Sequence, residues 1–146
     1  MIYDRRMLIF SEVSPSLLLH GVYKKSDLLL QASQRVDLSS EDQTLQISAL
    51  NIPNPKIFQA HYHLEKKLGD FISKAQECWV VIAGKVEVSY FDLDNTLISK
   101  ATLDPGDISY TFHGGHGYEV LDSNSLIYEF KSGPYLGVER DKKLIL

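Results

Sequence analysis

Cysteine is almost absent from this sequence: Cys78 stands alone among 146 residues. No intrachain disulfide can form, and a cysteine-poor domain is compatible with a reducing compartment. A cationic excess is missing too. At a formal net charge of −4 the chain offers no positive field to a phosphate backbone, so nucleic acid is not an expected partner. Long apolar runs are also lacking near the N-terminus, where Met7 to Phe10 is too short for a signal-peptide core or a membrane span. A cytoplasmic protein without a membrane partner is expected. There is no nucleophile elbow, phosphate loop, paired-cysteine motif or dinucleotide fingerprint, which removes the reaction classes those motifs serve. Nor is there an internal repeat, a heptad or a low-complexity segment.

What the chain does have is enough apolar material for one good core. Hydrophobic residues make up 44% and charged residues 23%, an ordinary globular balance that argues against disorder. The length suits a single domain over 1–146, with a core at about 43–135, N-terminal strands in 1–42 and a C-terminal tail at 136–146.

The stretch from Ile57 to Gly84 carries the chemistry. His61, Tyr62 and His63 alternate, and in a strand this puts the two imidazoles on one face, roughly 6.6 Å apart along the backbone. Two imidazoles at that spacing can share a cation. Glu77 opens the run through Trp79 and Ile82, and if its strand pairs with that of His61, a carboxylate joins the same face. Two histidines and a carboxylate are a donor set for transition metals. Glu65 falls on the His61/His63 face and rivals Glu77 as that carboxylate. Cys78 falls on the face opposite Glu77 and Trp79.

Elsewhere the pattern is mostly period two. Met7 to Phe10 reads as a strand; Leu17 to Tyr23 is a second apolar segment that a helix would also accommodate, and its lone His20 reads as a packed or surface residue. Leu45, Ile47 and Ala49 alternate with polar neighbours. Leu64 to Gln76 reads as a solvated excursion. Glu77 to Ala83, Lys85 to Phe91 and Thr96 to Leu103 read as an antiparallel meander, with Gly84 and Asp92 to Asn95 at its turns. After Asp104-Pro105-Gly106-Asp107, a strand runs into His113-Gly114-Gly115-His116, and His116, Tyr118 and Val120 then alternate. Leu126 to Lys131 is the last expected strand. About ten short strands with regular turns predict an all-β sandwich or barrel.

These motifs resemble those of the cupin superfamily. His61, His63, Glu77 and Gly84 match its first motif, and Pro105, Gly106, Asp107 and His116 its second. Thirteen residues separate His63 from Glu77 where cupins have a few, so a longer hairpin is inserted there. The combination of Gly114-Gly115-His116-Gly117, Tyr118-Glu119 and Lys131 to Tyr135 is similar to single-domain cupins associated with bacterial surface-polysaccharide gene clusters. The resemblance implies an antiparallel β-barrel, or jelly roll, with His61, His63, Glu77 and His116 around iron, manganese, nickel, cobalt or zinc. His113 is the alternative to His116.

Trp79, Val81 and Tyr118 share faces with the ligand candidates and would line the cavity, with Glu129 and Lys131 on one face of the last strand. Three functions remain open. A metal-dependent enzyme would act on a small polar substrate such as a sugar or sugar-nucleotide derivative. A metal-free isomerase or epimerase would use His61 or His63 as base and Tyr118 as acid. A non-catalytic domain would only bind a small molecule. The N-terminal strands lie outside the motifs and suit sheet extension onto a second copy, so a homodimer is expected.

Overall fold

A computed structural model describes residues 6–30 and 33–146. They fall into two compact units, 1–33 and 34–146. In the first, β1 (Met7–Phe10) and β2 (Leu18–Val22) form an antiparallel hairpin, followed by α1 (Lys25–Leu29). The Leu17 to Tyr23 segment is therefore mainly a strand and not a helix. Its backbone is committed to β1 through a turn in which Ser11 Oγ accepts from the Ser14 amide at 2.9 Å and Ser11 N donates to Leu17 O at 2.9 Å.

The second unit runs through β3 (Arg35–Asp37), β4 (Leu45–Ile52), β5 (Lys56–His63), β6 (Glu65–Leu68), β7 (Phe71–Lys74), β8 (Glu77–Ala83) and β9 (Val86–Phe91). It continues with β10 (Leu97–Leu103), β11 (Ile108–Thr111), β12 (Gly115–Val120), β13 (Ser125–Ser132), α2 (Val138–Asp141) and β14 (Lys142–Leu144). Two five-stranded antiparallel sheets result, in the orders β10-β9-β12-β5-β14 and β11-β8-β13-β4-β3. This is the expected all-β jelly roll. The excursion between His63 and Glu77 is a separate two-stranded hairpin, β6-β7.

The expected meander needs correction. β9 and β10 do pair, but β8 and β9 lie in different sheets. The chain crosses from one layer to the other at Gly84, whose φ of 85° lies in the region glycine enters without steric cost. A sandwich demands this crossing, since each sheet is apolar on one face only.

Between the layers sit Leu50, Ile52, Trp79, Val81 and Ile127 from one sheet, against Val86, Val88, Leu103, Tyr118 and Val120 from the other. Each fully buried aliphatic side chain contributes roughly 1.5–3 kcal/mol relative to exposure. Phe58 packs its ring edge-on to Trp79, at 5.1 Å between centroids. Above this apolar floor, the inward-facing residues of β5, β8 and β12 turn polar.

Candidate metal centre

His61 and His63 come from β5, and His116 from β12, its neighbour in the same sheet. His116 is paired directly with His61, so their side chains share a face. Past this pair the register shifts: Tyr118 stands opposite Phe58, so β5 carries an extra residue. Gly117 makes the close approach possible, because a Cβ there would lie 3.1 Å from Ala60 Cα.

Glu77 does not join through strand pairing, as the sequence suggested. It begins β8 in the opposite sheet and reaches across the interior. Its Oε2 lies 3.2 Å from His63 Nε2 and its Oε1 3.4 Å from His116 Nε2. The rivals are elsewhere: Glu65 and His113 are both exposed.

One donor atom from each of His61, His63, Glu77 and His116 lies within 4.8 Å of the others, and all four side chains are buried. Two ligands on one ion sit at most about 4.2 Å apart, twice a bond of about 2.1 Å, so a small contraction closes the set. The nitrogen lone pairs are oriented for it. His61 Nδ1 donates to Gln59 O at 2.9 Å, since a carbonyl only accepts, and this leaves His61 Nε2 unprotonated and directed at His116 Nε2, 3.2 Å away. His116 Nδ1 is held by Thr111 Oγ1 at 2.8 Å. Neither ring nitrogen of His63 makes a hydrogen bond, although Glu77 Oε2 lies 3.2 Å from Nε2 and Asp141 Oδ2 3.6 Å from Nδ1, and a cation at Nε2 would satisfy that nitrogen. The residues present fit a divalent transition metal, and they form a metal site.

Electrostatics favour that role at His61, His116 and Glu77, and oppose it at His63 until an ion binds. Burial lowers the His61 pKa, and it pushes His116 down to about 4; the Lys142 charge contributes in the same direction to both. Burial would also lower His63, but Asp141 and Glu77 beside it raise it instead. Burial alone would raise the Glu77 carboxyl; His63 and the other two histidines hold it well below the usual carboxylate range. Glu77 is thus an anion among imidazoles.

Beside the centre lies a cavity of about 500 Å³, whose wall includes His61, Glu77, Trp79, Tyr118 and Glu129. Trp79 and Tyr118 stack face to face at 3.9 Å between centroids. Tyr118 Oη is buried without a hydrogen bond, and burial, then the Glu77 charge, raises its pKa well above the ordinary value. Val81 is not part of this wall. It is fully buried in the core one alternation beyond Trp79.

Glu129 and Lys131 do not pair with each other. Glu129 accepts from Arg35 Nη2 at 2.8 Å and from the Trp79 indole at 3.0 Å, whereas Lys131 donates to Asp141 at 2.7 Å. Arg35, Asp141 and Lys142 were not singled out in the sequence, and all three line the cavity. Arg35-Val36-Asp37 does alternate, but three residues are too few to reveal a strand by periodicity, and Lys142-Lys143-Leu144 does not alternate.

No family model matches this sequence, and no curated protein does. Solved structures do. KdgF from Halomonas sp. is 20% identical over 67% of this chain and 77% of its own, with a TM-score of 0.52. A tryptophan-to-phenylalanine variant of the oxalate decarboxylase of Bacillus subtilis is 17% identical over 71% of this chain, also at a TM-score of 0.52. This chain has the cupin fold. It spans about 25% of the decarboxylase, so the likeness to that protein covers one part of it. Another structure of the same decarboxylase, with 17% identity and a TM-score of 0.52, is described by its Mn(II) centres. The His61, His63, Glu77 and His116 site stands inside this cupin jelly roll, and none of the described helices is long and apolar enough to cross a membrane.

Proposed function

We propose that this cupin is a metal-dependent enzyme acting on a small polar substrate such as a sugar derivative, in the context of surface-polysaccharide synthesis. One observation carries the reading: His61 and Glu77 belong both to the metal centre and to the wall of the cavity. Structural metal sites are closed, whereas catalytic ones keep a position open. An ion held here would face a space of substrate size.

A bound divalent ion supplies Lewis acidity toward a carbonyl or an activated water. The chain's own residues do the rest. Gln59 O fixes the His61 ring, and Thr111 fixes that of His116. The stacked Trp79 and Tyr118 keep the inner wall dry and rigid. Glu129, engaged by Arg35 and Trp79, offers a fixed carboxylate edge to a hydroxylated ligand. Tyr118 keeps its proton under these conditions and is the candidate proton donor, while His61 and His63 serve as ligands. If they instead work as bases, the ion is dispensable.

The Mn(II) centres of oxalate decarboxylase make manganese the first ion to test. Elemental analysis of untagged protein should find one metal per chain, and chelation should abolish turnover of a panel of sugar derivatives. Turnover surviving chelation would establish the metal-free isomerase reading; metal without any turnover would leave a binding protein.

The proposal extends to assembly. The β1-β2 hairpin is exposed along nearly its whole length, with Met7, Phe10, Leu18 and Val22 all more than 40% accessible. An isolated hairpin is marginal in water, which favours a homodimer in which a second copy covers it. A monomer by light scattering at micromolar concentration would overturn this.

A further inference from the structure

Three cationic side chains stand on the cavity wall, and two of them are held in ion pairs. Arg35 is engaged by Glu129 and Asp37, each at 2.8 Å, and Lys131 by Asp141 at 2.7 Å. Lys142 has neither an ion pair nor a side-chain hydrogen bond among the described residues. Its direction follows from register. Lys142 pairs with His63 in the β14-β5 ladder, and directly opposed residues in an antiparallel pair project to the same face. Lys142 therefore lies on the metal side of the sheet, and its charge reaches both His61 and His116.

No carboxylate of the wall forms an ion pair with it. Glu129 is used by Arg35 and Trp79, Asp37 by Arg35 and Ser48, and Asp141 by Lys66 and Lys131. Glu77 is committed to the histidines, and Glu41 is exposed to water. A divalent ion would carry one more positive charge than Glu77 neutralises, and Lys142 stands on the same face of the sheet as that centre.

We propose that Lys142 is the anion receptor of this cavity, and that the ligand bound beside the metal centre carries a carboxylate. The position of the ligand rests on the metal-enzyme reading above, while its charge rests on Lys142. A carboxylate suits the site better than a phosphoryl group, which usually gathers an arginine fork or several backbone amides; here the one guanidinium on the wall is already engaged.

The test is calorimetric titration of full-length, Mn(II)-loaded protein with glycolate, with its neutral counterpart glycolamide, and with inorganic phosphate. Glycolate should bind, and glycolamide should bind at least about tenfold more weakly, the scale of one charge-assisted hydrogen bond. Lys142→Met should lose glycolate affinity by a similar factor with its metal content unchanged, and Lys142→Arg should restore most of it. Equal affinity of the parent and Lys142→Met, equal binding of glycolate and glycolamide, tighter binding of phosphate, or no glycolate binding at millimolar concentration would each overturn the proposal. The two readings fail separately. Protein that takes up no metal but binds glycolate through Lys142 keeps the anion receptor and loses the metal enzyme; metal-loaded protein indifferent to Lys142→Met does the reverse.

Discussion

His61 and His116 oppose each other across β5 and β12 with their Nε2 atoms 3.2 Å apart, and neither nitrogen faces a protein carboxylate closer than 3.4 Å. Without an ion, the pair shares one proton in an N–H···N hydrogen bond; with both nitrogens unprotonated, their lone pairs converge on one point. A cation at that point satisfies both. Replacing His61 and His63 together by alanine should therefore take metal content from one per chain to none. The far-UV circular dichroism should be unchanged, since the apolar cluster around Val86, Val88 and Ile127 does not include them. Retained metal in the double variant would show that these residues are only part of the barrel wall.

Metal removal should lower thermal stability, because the ion binds the folded state alone. At free metal about a hundredfold above its dissociation constant, linkage predicts a loss of about 2.7 kcal/mol on chelation. Differential scanning calorimetry with and without chelator measures it, and an unchanged midpoint would deny that the site is occupied in solution.

Thr111 holds the far nitrogen of the His116 ring at 2.8 Å. Residues in that position orient a ligand and tune its basicity, and their loss costs roughly 10–100-fold in metal affinity. Thr111→Val keeps the shape and removes the hydroxyl, so competition against a chelating dye should show a loss of that order. Affinity equal to the parent's would mean that packing alone fixes the ring.

Much of this site was legible in the chain because period-two alternation is local. His61 with His63, Glu77 with Trp79, and His116 with Tyr118 could each be assigned to one face from neighbouring residues alone. What was not legible is long-range. That β8 and β9 part company at Gly84, so that Glu77 crosses from the facing sheet, depends on how two layers close over a shared core. The partners of Glu129 and Lys131 come from Arg35 and Asp141, on elements of three and four residues that leave no periodic trace. Lys142 acquires its place only when β14 pairs with β5.

Gly117 sits where β12 crowds the extra residue of β5, with Ala60 atoms 3.1 Å from the position a Cβ would take. Gly117→Ala must push the two strands apart. Overpacking of this kind costs about 1–3 kcal/mol, and here it also displaces His116 relative to His61. Urea denaturation should show the loss and metal titration a weaker site. As a control, Gly69→Ala, in a turn with φ of 63° and open space around it, should cost some stability without touching metal affinity.

The hairpin between His63 and Glu77 is anchored by one buried contact. Lys66 Nζ donates to Asp141 Oδ1 at 2.6 Å and to Pro134 O at 3.1 Å, and Lys131 takes the other carboxylate oxygen at 2.7 Å. Lys66 and Asp141 side chains are each about 2% exposed, so neither charge can turn to water if its partner is removed. Removing one member of a buried pair costs about 3–5 kcal/mol, and Lys131 should keep Lys66→Met near the lower end of that range. Asp141→Asn should cost more, because it leaves two ammonium groups facing an amide. The double variant, Lys66→Met with Asp141→Asn, should cost less than the sum of the two, since the charge left unpaired by one change is removed by the other. Urea denaturation of the four metal-free proteins closes the cycle; strict additivity would mean that Lys66 and Asp141 stabilise the hairpin independently and the contact between them contributes nothing.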